Sequence, residues 1–144
     1  MILLSSALES VINIIIMNSL IIDAAKDKIF LTLIVNKNIY TCSHENSKIN
    51  FEKLMILIND FLKVNSSSLD QIDVIYVNRG PGSFAGIRNS LATIKALFIT
   101  KKINYYCFSF EDFKGFEEVQ YEDVPNLCEK FKIKKNLINP IYLS

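Results

Sequence analysis

Three β-rich runs separated by short polar breaks open the readable part of the chain. Leu20-Ile21-Ile22 ends in Asp23-Ala24-Ala25, Ile29 to Val35 follows, and Ile39-Tyr40-Thr41-Cys42 comes after the turn-like Asn36-Lys37-Asn38. This spacing predicts an antiparallel meander. His44 to Asn50 is polar and reads as a loop. Phe51 to Lys63 carries no Gly or Pro, so it predicts a helix with Asn50 as its N-cap. Its middle, Leu54-Met55-Ile56-Leu57-Ile58, is apolar on every face. A helix lying on one side of a sheet shows a single apolar stripe. This one asks for further cover, from the same chain or from another protein.

Asp73 to Val77 has the continuous apolar character of a parallel, doubly buried strand and runs directly into a glycine-rich loop. A second helix is predicted from there to about Lys101, with Phe84, Ile87, Leu91, Ile94 and Phe98 as its stripe and small Ala92 and Ala96 on a neighbouring face. Asn104 to Ser109 predicts one more strand. Val124 to Phe131 predicts a short helix opened by Pro125. Leu137 to Leu143 reads as an extended end lying against something. The fold class is α/β: a mixed sheet, a meander followed by parallel strands, with two main helices.

Composition narrows the function. With 144 residues, half of them apolar and 22% charged, the chain suits one domain plus a tail or a fragment of a second. A net charge of +1 supplies no global field for nucleic acid. Lys130, Lys132, Lys134 and Lys135 form the one local basic cluster and read as a solvated face. Cys42, Cys107 and Cys128 are odd in number and widely spaced, which indicates neither a disulfide framework nor zinc. Cys42 and Cys107 read as small buried hydrophobes in strands. Residues 1–16 lack a basic start, are interrupted by Glu9, and fit neither a secretory signal nor a membrane span. Leu4, Leu8, Val11 and Ile15 lie at helical spacing, so an extra amphipathic helix and a true start at Met17 both stand open.

The chemistry concentrates between residues 74 and 100, where strand, glycine loop and helix follow in order. Gly80, Gly82 and Gly86 allow close backbone approach, Ser83 can cap the helix, and the helix N-terminus attracts anions. The candidate phosphate residues are Asp23, Arg79, Gly80, Pro81, Gly82, Ser83, Gly86 and Arg88, the two arginines flanking the loop. No Gly-Lys-Ser/Thr ending is present, and the glycine spacing departs from the dinucleotide fingerprint. A tight turn that binds nothing is an equally good reading. His44 is the single histidine and reads as a loop or helix-end residue, so no Ser-His-Asp arrangement is expected. Asp23 alone is a weak metal site, better used in a structural bond to Arg79 or Arg88. No catalytic residue and no metal site is assigned.

The stretch Arg79-Gly80-Pro81-Gly82-Ser83-Phe84-Ala85-Gly86-Ile87-Arg88 resembles the GPGSFTG-[LIV]-R signature of the TsaB family. Leu20 to Ala25 is similar to that family's opening strand. His44, the Leu69 to Asp73 lead-in, Ser109 and Pro140 to Leu143 also agree. The resemblance spans about 18–112 and implies an actin-like ATPase, ribonuclease H-like fold that normally has two α/β halves. It divides the chain into an extension or misplaced start at 1–17, an actin-like domain at 18–112, and a remnant of the second lobe with a tail at 113–144. Ala24 and Ala85 stand where the family usually has Thr, and Asn89-Ser90 replaces Ile-Gly, so independent ATP hydrolysis is not expected.

What the resemblance implies is a non-catalytic scaffold for TsaD, the subunit that modifies adenosine 37 of tRNA with threonylcarbamoyl. TsaE joins a larger complex, the chain alone forms a homodimer, and tRNA is met only indirectly. No resident cofactor is implied, with ATP or ADP and Mg confined to a complex interface. The setting is the cytoplasm, without a membrane. The helix pair then supplies the partner interface: Leu54, Met55, Ile58, Leu62, Leu91, Ala92, Lys95 and Ala96. Two alternatives stand beside it, a nucleotide-binding switch using Gly80 to Arg88, and a homodimeric structural protein without TsaD binding.

Overall fold

Residue pairing along β1 (Ser19–Asp23), β2 (Lys28–Val35) and β3 (Asn38–Glu45) is antiparallel, with Ile21 opposite Thr32 and Thr32 opposite Thr41. The computed structural model describes residues 6–9 and 17–142. Asn36 and Lys37, both at positive φ, make the two-residue turn between β2 and β3, the form whose twist matches that of the strands it joins. β4 (Val74–Asn78) and β5 (Asn104–Phe108) are parallel to β1, and the sheet order is β3-β2-β1-β4-β5. The expected meander followed by parallel strands is therefore present.

Alternation along each strand divides the core into two. Leu20, Ile22, Leu31, Leu33, Ile75 and Val77 face the helices, while Ile21, Val74, Tyr76 and Phe108 face the opposite way. The helical layer consists of α1 (Lys48–Glu52), α2 (Leu54–Val64) and α3 (Phe84–Lys101). The second layer is the irregular segment after β5. It buries Phe113 and, from α4 (Val124–Lys130), Val124, Leu127 and Cys128 against the sheet. Pro125 sits in the first turn of α4, where its missing N–H costs nothing.

Several expectations are corrected. The helix expected at 51–63 starts at Lys48 and breaks at Lys53; its cap is Ser47, whose hydroxyl accepts the Asn50 N–H, not Asn50 itself. Asn50 instead donates its side-chain amide to the Glu45 carbonyl. His44 is not in a loop: β3 runs on to Glu45, pairing His44 with Ile29. On α3 the buried stripe is Ile87, Leu91, Ile94 and Leu97, whereas Phe84 and Phe98 remain 57% and 37% exposed. The stripe runs one residue early at its far end because Leu97, not Phe98, faces the sheet. Phe84 instead rests on Tyr142, and Phe98 meets the edge of Tyr105. Of the helix considered for residues 1–16, only 6–9 are described, and these are helical; the rest of that stretch lies outside the described residues.

The two margins of the sheet differ. Beside β5, Tyr106 bridges to Lys135, and Asn136 exchanges hydrogen bonds with the backbone of Tyr105. β3 closes the other margin and pairs with β2 alone among the described residues.

Candidate functional site

β4 delivers the chain into the glycine loop. The Asn78 side chain accepts the Gly80 N–H at 2.9 Å, and Gly80 holds a φ of 110°, which a residue with a Cβ rarely adopts. A Cβ at Gly80 would also strike the carbonyl of Ile141. Two further glycines press against the end of β1: a Cβ on Gly82 would run into the Ala25 carbonyl, and one on Gly86 into the Ala24 carbonyl. Ser83 completes the contact by donating its N–H to the Ala25 carbonyl at 2.8 Å. Its hydroxyl caps α3 by accepting the Gly86 N–H at 3.2 Å, as expected of it.

This geometry uses part of the loop's donors within the chain. The N–H groups of Gly80, Ser83 and Gly86 are all engaged within the chain. Pro81 lies half-buried in the turn, its peptide bond to Gly80 cis. The loop clasps β1 to α3 by backbone contact.

One of the two flanking arginines is engaged elsewhere. Arg79 forks onto Asp112, Nη2 at 2.7 Å from Oδ1, and its Nη1 donates to the Asn139 carbonyl at 3.0 Å. Asp112 accepts the Ser109 N–H as well, so Ser109, fully buried, opens a capped turn that carries the arginine's partner. Arg88 is exposed on α3. Asp23 bonds to neither arginine, contrary to expectation. Its carboxylate, fully buried, accepts the Tyr121 hydroxyl at 2.6 Å and the Ala25 N–H at 3.0 Å, with the Lys26 ammonium 3.6 Å away. The reason is strand alternation: the odd positions of β1 face the second layer, where Tyr121 waits, and the arginines do not. Lys26 in turn lies over the rings of Phe110 and Tyr121.

No group of three or more His, Cys, Asp or Glu residues among the described residues could hold a metal ion. Burial pushes the Cys107 thiol up to about 12 and the Cys128 thiol higher still, so both are inert thiols in the core. Cys42 is only half-buried and lies 3.7 Å from the His44 ring.

The helical face divides the expected interface in two. Met55 is half-buried, and Ala92, Lys95 and Ala96 are exposed, so these four are open to a partner. Leu54, Ile58, Leu62 and Leu91 are not, because they fill the chain's own core. Met55, Ala92, Thr93 and Ala96 line a shallow groove between α2 and α3. Ile56 and Ile99, both well exposed, were not among the expected contacts. The helical phase offered a signal for Ile56: once residues 54, 58, 61 and 62 are taken as one stripe, position 56 falls outside it. Tyr121 and Asp112 carried no such signal, since they meet Asp23 and Arg79 across 98 and 33 residues.

Comparison with known proteins places these features. A family model described as TsaD, tRNA N6-adenosine threonylcarbamoyltransferase, matches residues 44–109. A TsaB of Buchnera aphidicola subsp. Baizongia pistaciae (strain Bp), a tRNA threonylcarbamoyladenosine biosynthesis protein, is 36% identical over an alignment of 63 residues. That match covers 38% of this chain and 28% of the relative. Among solved structures, YeaZ from Pseudomonas aeruginosa superposes with a TM-score of 0.60 at 19% identity, covering 65% of this chain and 44% of that one. A second Pseudomonas aeruginosa structure, of an uncharacterized protein with similarity to the peptidase YeaZ, gives the same TM-score and identity and is covered to 43%. The mixed five-stranded sheet with its helices is thus the actin-like, ribonuclease H-like architecture expected from the sequence. The chain is similar in sequence to TsaB over part of its length and in architecture to YeaZ, and it spans less than half the length of the relatives it matches.

Proposed function

We propose that this chain serves tRNA threonylcarbamoyladenosine biosynthesis as a non-catalytic partner of a TsaD-type threonylcarbamoyltransferase. The observation that carries the reading is the 36% identity to a protein named for that pathway. The TsaD family match over 44–109 supports the choice of partner. The state of the loop supports a non-catalytic role. The N–H groups of Gly80, Ser83 and Gly86 and the Asp23 carboxylate are bonded within the chain, so a nucleotide that used them would first have to break those contacts.

The partner meets the α2–α3 face, where small Ala92 and Ala96 let another helix approach closely and Met55 adapts to it. A larger assembly with TsaE, indirect contact with tRNA and a cytoplasmic setting belong to the same reading. No helix among the described residues is long and apolar enough to cross a membrane. The test is co-purification with TsaD. Ala92→Glu and Ala96→Glu are expected to lose the complex while circular dichroism stays unchanged; retained binding in both removes the interface. Tight, magnesium-dependent ATP binding by the isolated chain would replace the reading with a nucleotide switch.

A further inference from the structure

At the end of the sheet opposite the glycine loop, β4 and β5 begin over an open cleft of about 220 Å³. It lies on the face covered by α4, away from the α2–α3 groove. Two tyrosines form its floor. Tyr76 and Tyr106 sit opposite each other on β4 and β5 and stack, ring centroids 5.3 Å apart and planes 12° from parallel. Tyr76 is 3% exposed, yet its hydroxyl has no hydrogen-bond partner among the described residues. Every fully enclosed side-chain nitrogen or oxygen there is partnered, so this oxygen emerges into the cleft that its ring lines. The Tyr106 hydroxyl is likewise without a partner. On the rim, Glu129 is exposed and in no ion pair among the described residues, and the Asp73 carboxylate meets only the Asn18 N–H. Burial raises both phenols above their ordinary 10.0, and the Glu129 carboxylate adds to the rise at each. Near neutral pH both are therefore uncharged, able to accept an N–H, and within the field of Glu129.

We propose that this cleft binds a small organic cation, an ammonium or guanidinium on a short apolar stem, with its N–H groups on the Tyr76 and Tyr106 oxygens and its charge beside Glu129 and Asp73. A charged donor makes the stronger kind of hydrogen bond to such an oxygen. Val74, Pro125 and Cys128, all buried, give the stem an apolar wall. Lys135 is the single cation of the lining, so two carboxylates against one ammonium favour a positive ligand over an anion. The volume falls below the roughly 300–1,000 Å³ of drug-sized sites. The ligand is therefore a small free amine or guanidine, or one Lys or Arg side chain offered by a partner. This site is independent of the α2–α3 interface and goes beyond it.

The experiment is an NMR titration of the full chain with butylguanidinium chloride, set against n-butanol and sodium butyrate. Saturable shifts at residues 74–76, 104–106 and 128–129 are expected for the cation, with a dissociation constant of about 1 mM or below, and none for the alcohol or the anion. Glu129→Gln should weaken binding about tenfold, and Tyr76→Phe, which keeps the ring stack, about threefold or more. Asp60→Asn, an equal loss of charge on the exposed side of α2, should leave it unchanged. Circular dichroism checks that each variant is folded, and the exposed Glu129 decides the matter should Tyr76→Phe fail to fold. A blocked Gly-Arg-Gly peptide that binds at least as well as butylguanidinium identifies a partner's side chain as the source; weaker binding identifies a free small cation. Butyrate bound in place of the cation, shifts that do not saturate up to about 10 mM, or indifference to both cleft variants overturns the proposal.

Discussion

The Tyr121 hydroxyl donates to the Asp23 carboxylate at 2.6 Å, tying the end of the first strand to the segment that covers the far face of the sheet. Asp23 is fully buried, so its remaining partners cannot be replaced by water without opening the structure. The same phenol packs against Phe30 and Phe110.

Tyr121→Phe keeps the ring and deletes the donor. It is expected to destabilise the fold by about 1–3 kcal/mol, the cost of leaving a buried acceptor short of a partner. Urea denaturation of the two proteins measures it. A change within error would show that Lys26 and the Ala25 N–H satisfy Asp23 unaided.

Alkali should unfold the protein early. Burial, followed by the Asp23 carboxylate, raises the Tyr121 phenol above its ordinary 10.0, and burial raises the Cys107 thiol from 9.0 to about 12. The folded chain therefore holds protons that the unfolded chain releases. The stabilisation is complete below the unfolded pKa values and is lost as pH rises above about 9. Urea midpoints compared at about pH 8 and pH 10.5, in reductant, should fall at the higher pH.

The clasp between β1 and α3 predicts sharp intolerance at its glycines. Gly86→Ala and Gly82→Ala each drive a methyl into a backbone carbonyl and should cost about 1–3 kcal/mol or more. Ala85→Thr, which installs the hydroxyl usual in the family at an exposed position, should change stability by no more than about 0.5 kcal/mol. Thermal melting of the three variants separates the two roles of neighbouring residues.

Helix α2 should show the same division. Leu62→Ala empties a fully buried site and is expected to cost about 2–5 kcal/mol. Ala92→Glu, on the exposed face of α3, should stay within about 0.5 kcal/mol of the parent by the same denaturation assay. An Ala92→Glu protein that melts early would mean that the groove is part of the core.

Asp112→Asn weakens the arginine fork that holds the C-terminal segment. Arg79 and Asp112 are largely buried, and Arg79 also binds the Asn139 and Ile141 backbone through its side chain and carbonyl. Hydrogen exchange of residues 137–142 is expected to rise at least about tenfold, a loss of about 1.4 kcal/mol of local protection. Unchanged exchange would place the anchoring in the Phe84–Tyr142 contact instead.

Local pattern was enough for the strands, for the helix from Phe84 to Lys101 and for the Ser83 cap, because alternation, helical period and side-chain capping act over a few residues. The glycine signature was legible too, as a place where backbone must approach backbone. Which backbone it approaches was not. Ala24 and Ala25 lie some sixty residues earlier in the chain, and only strand order brings them there. Asp23 shows the limit most plainly: its chemistry read as available for a metal or an arginine, while sheet alternation turned it toward a tyrosine near the other end of the chain. The sorting of Leu54, Ile58 and Leu62 into the core, and of Ile56 onto the surface, was likewise settled by packing. A helix that is apolar all round carries no mark of which face will be enclosed until the sheet and its neighbour helix are in place.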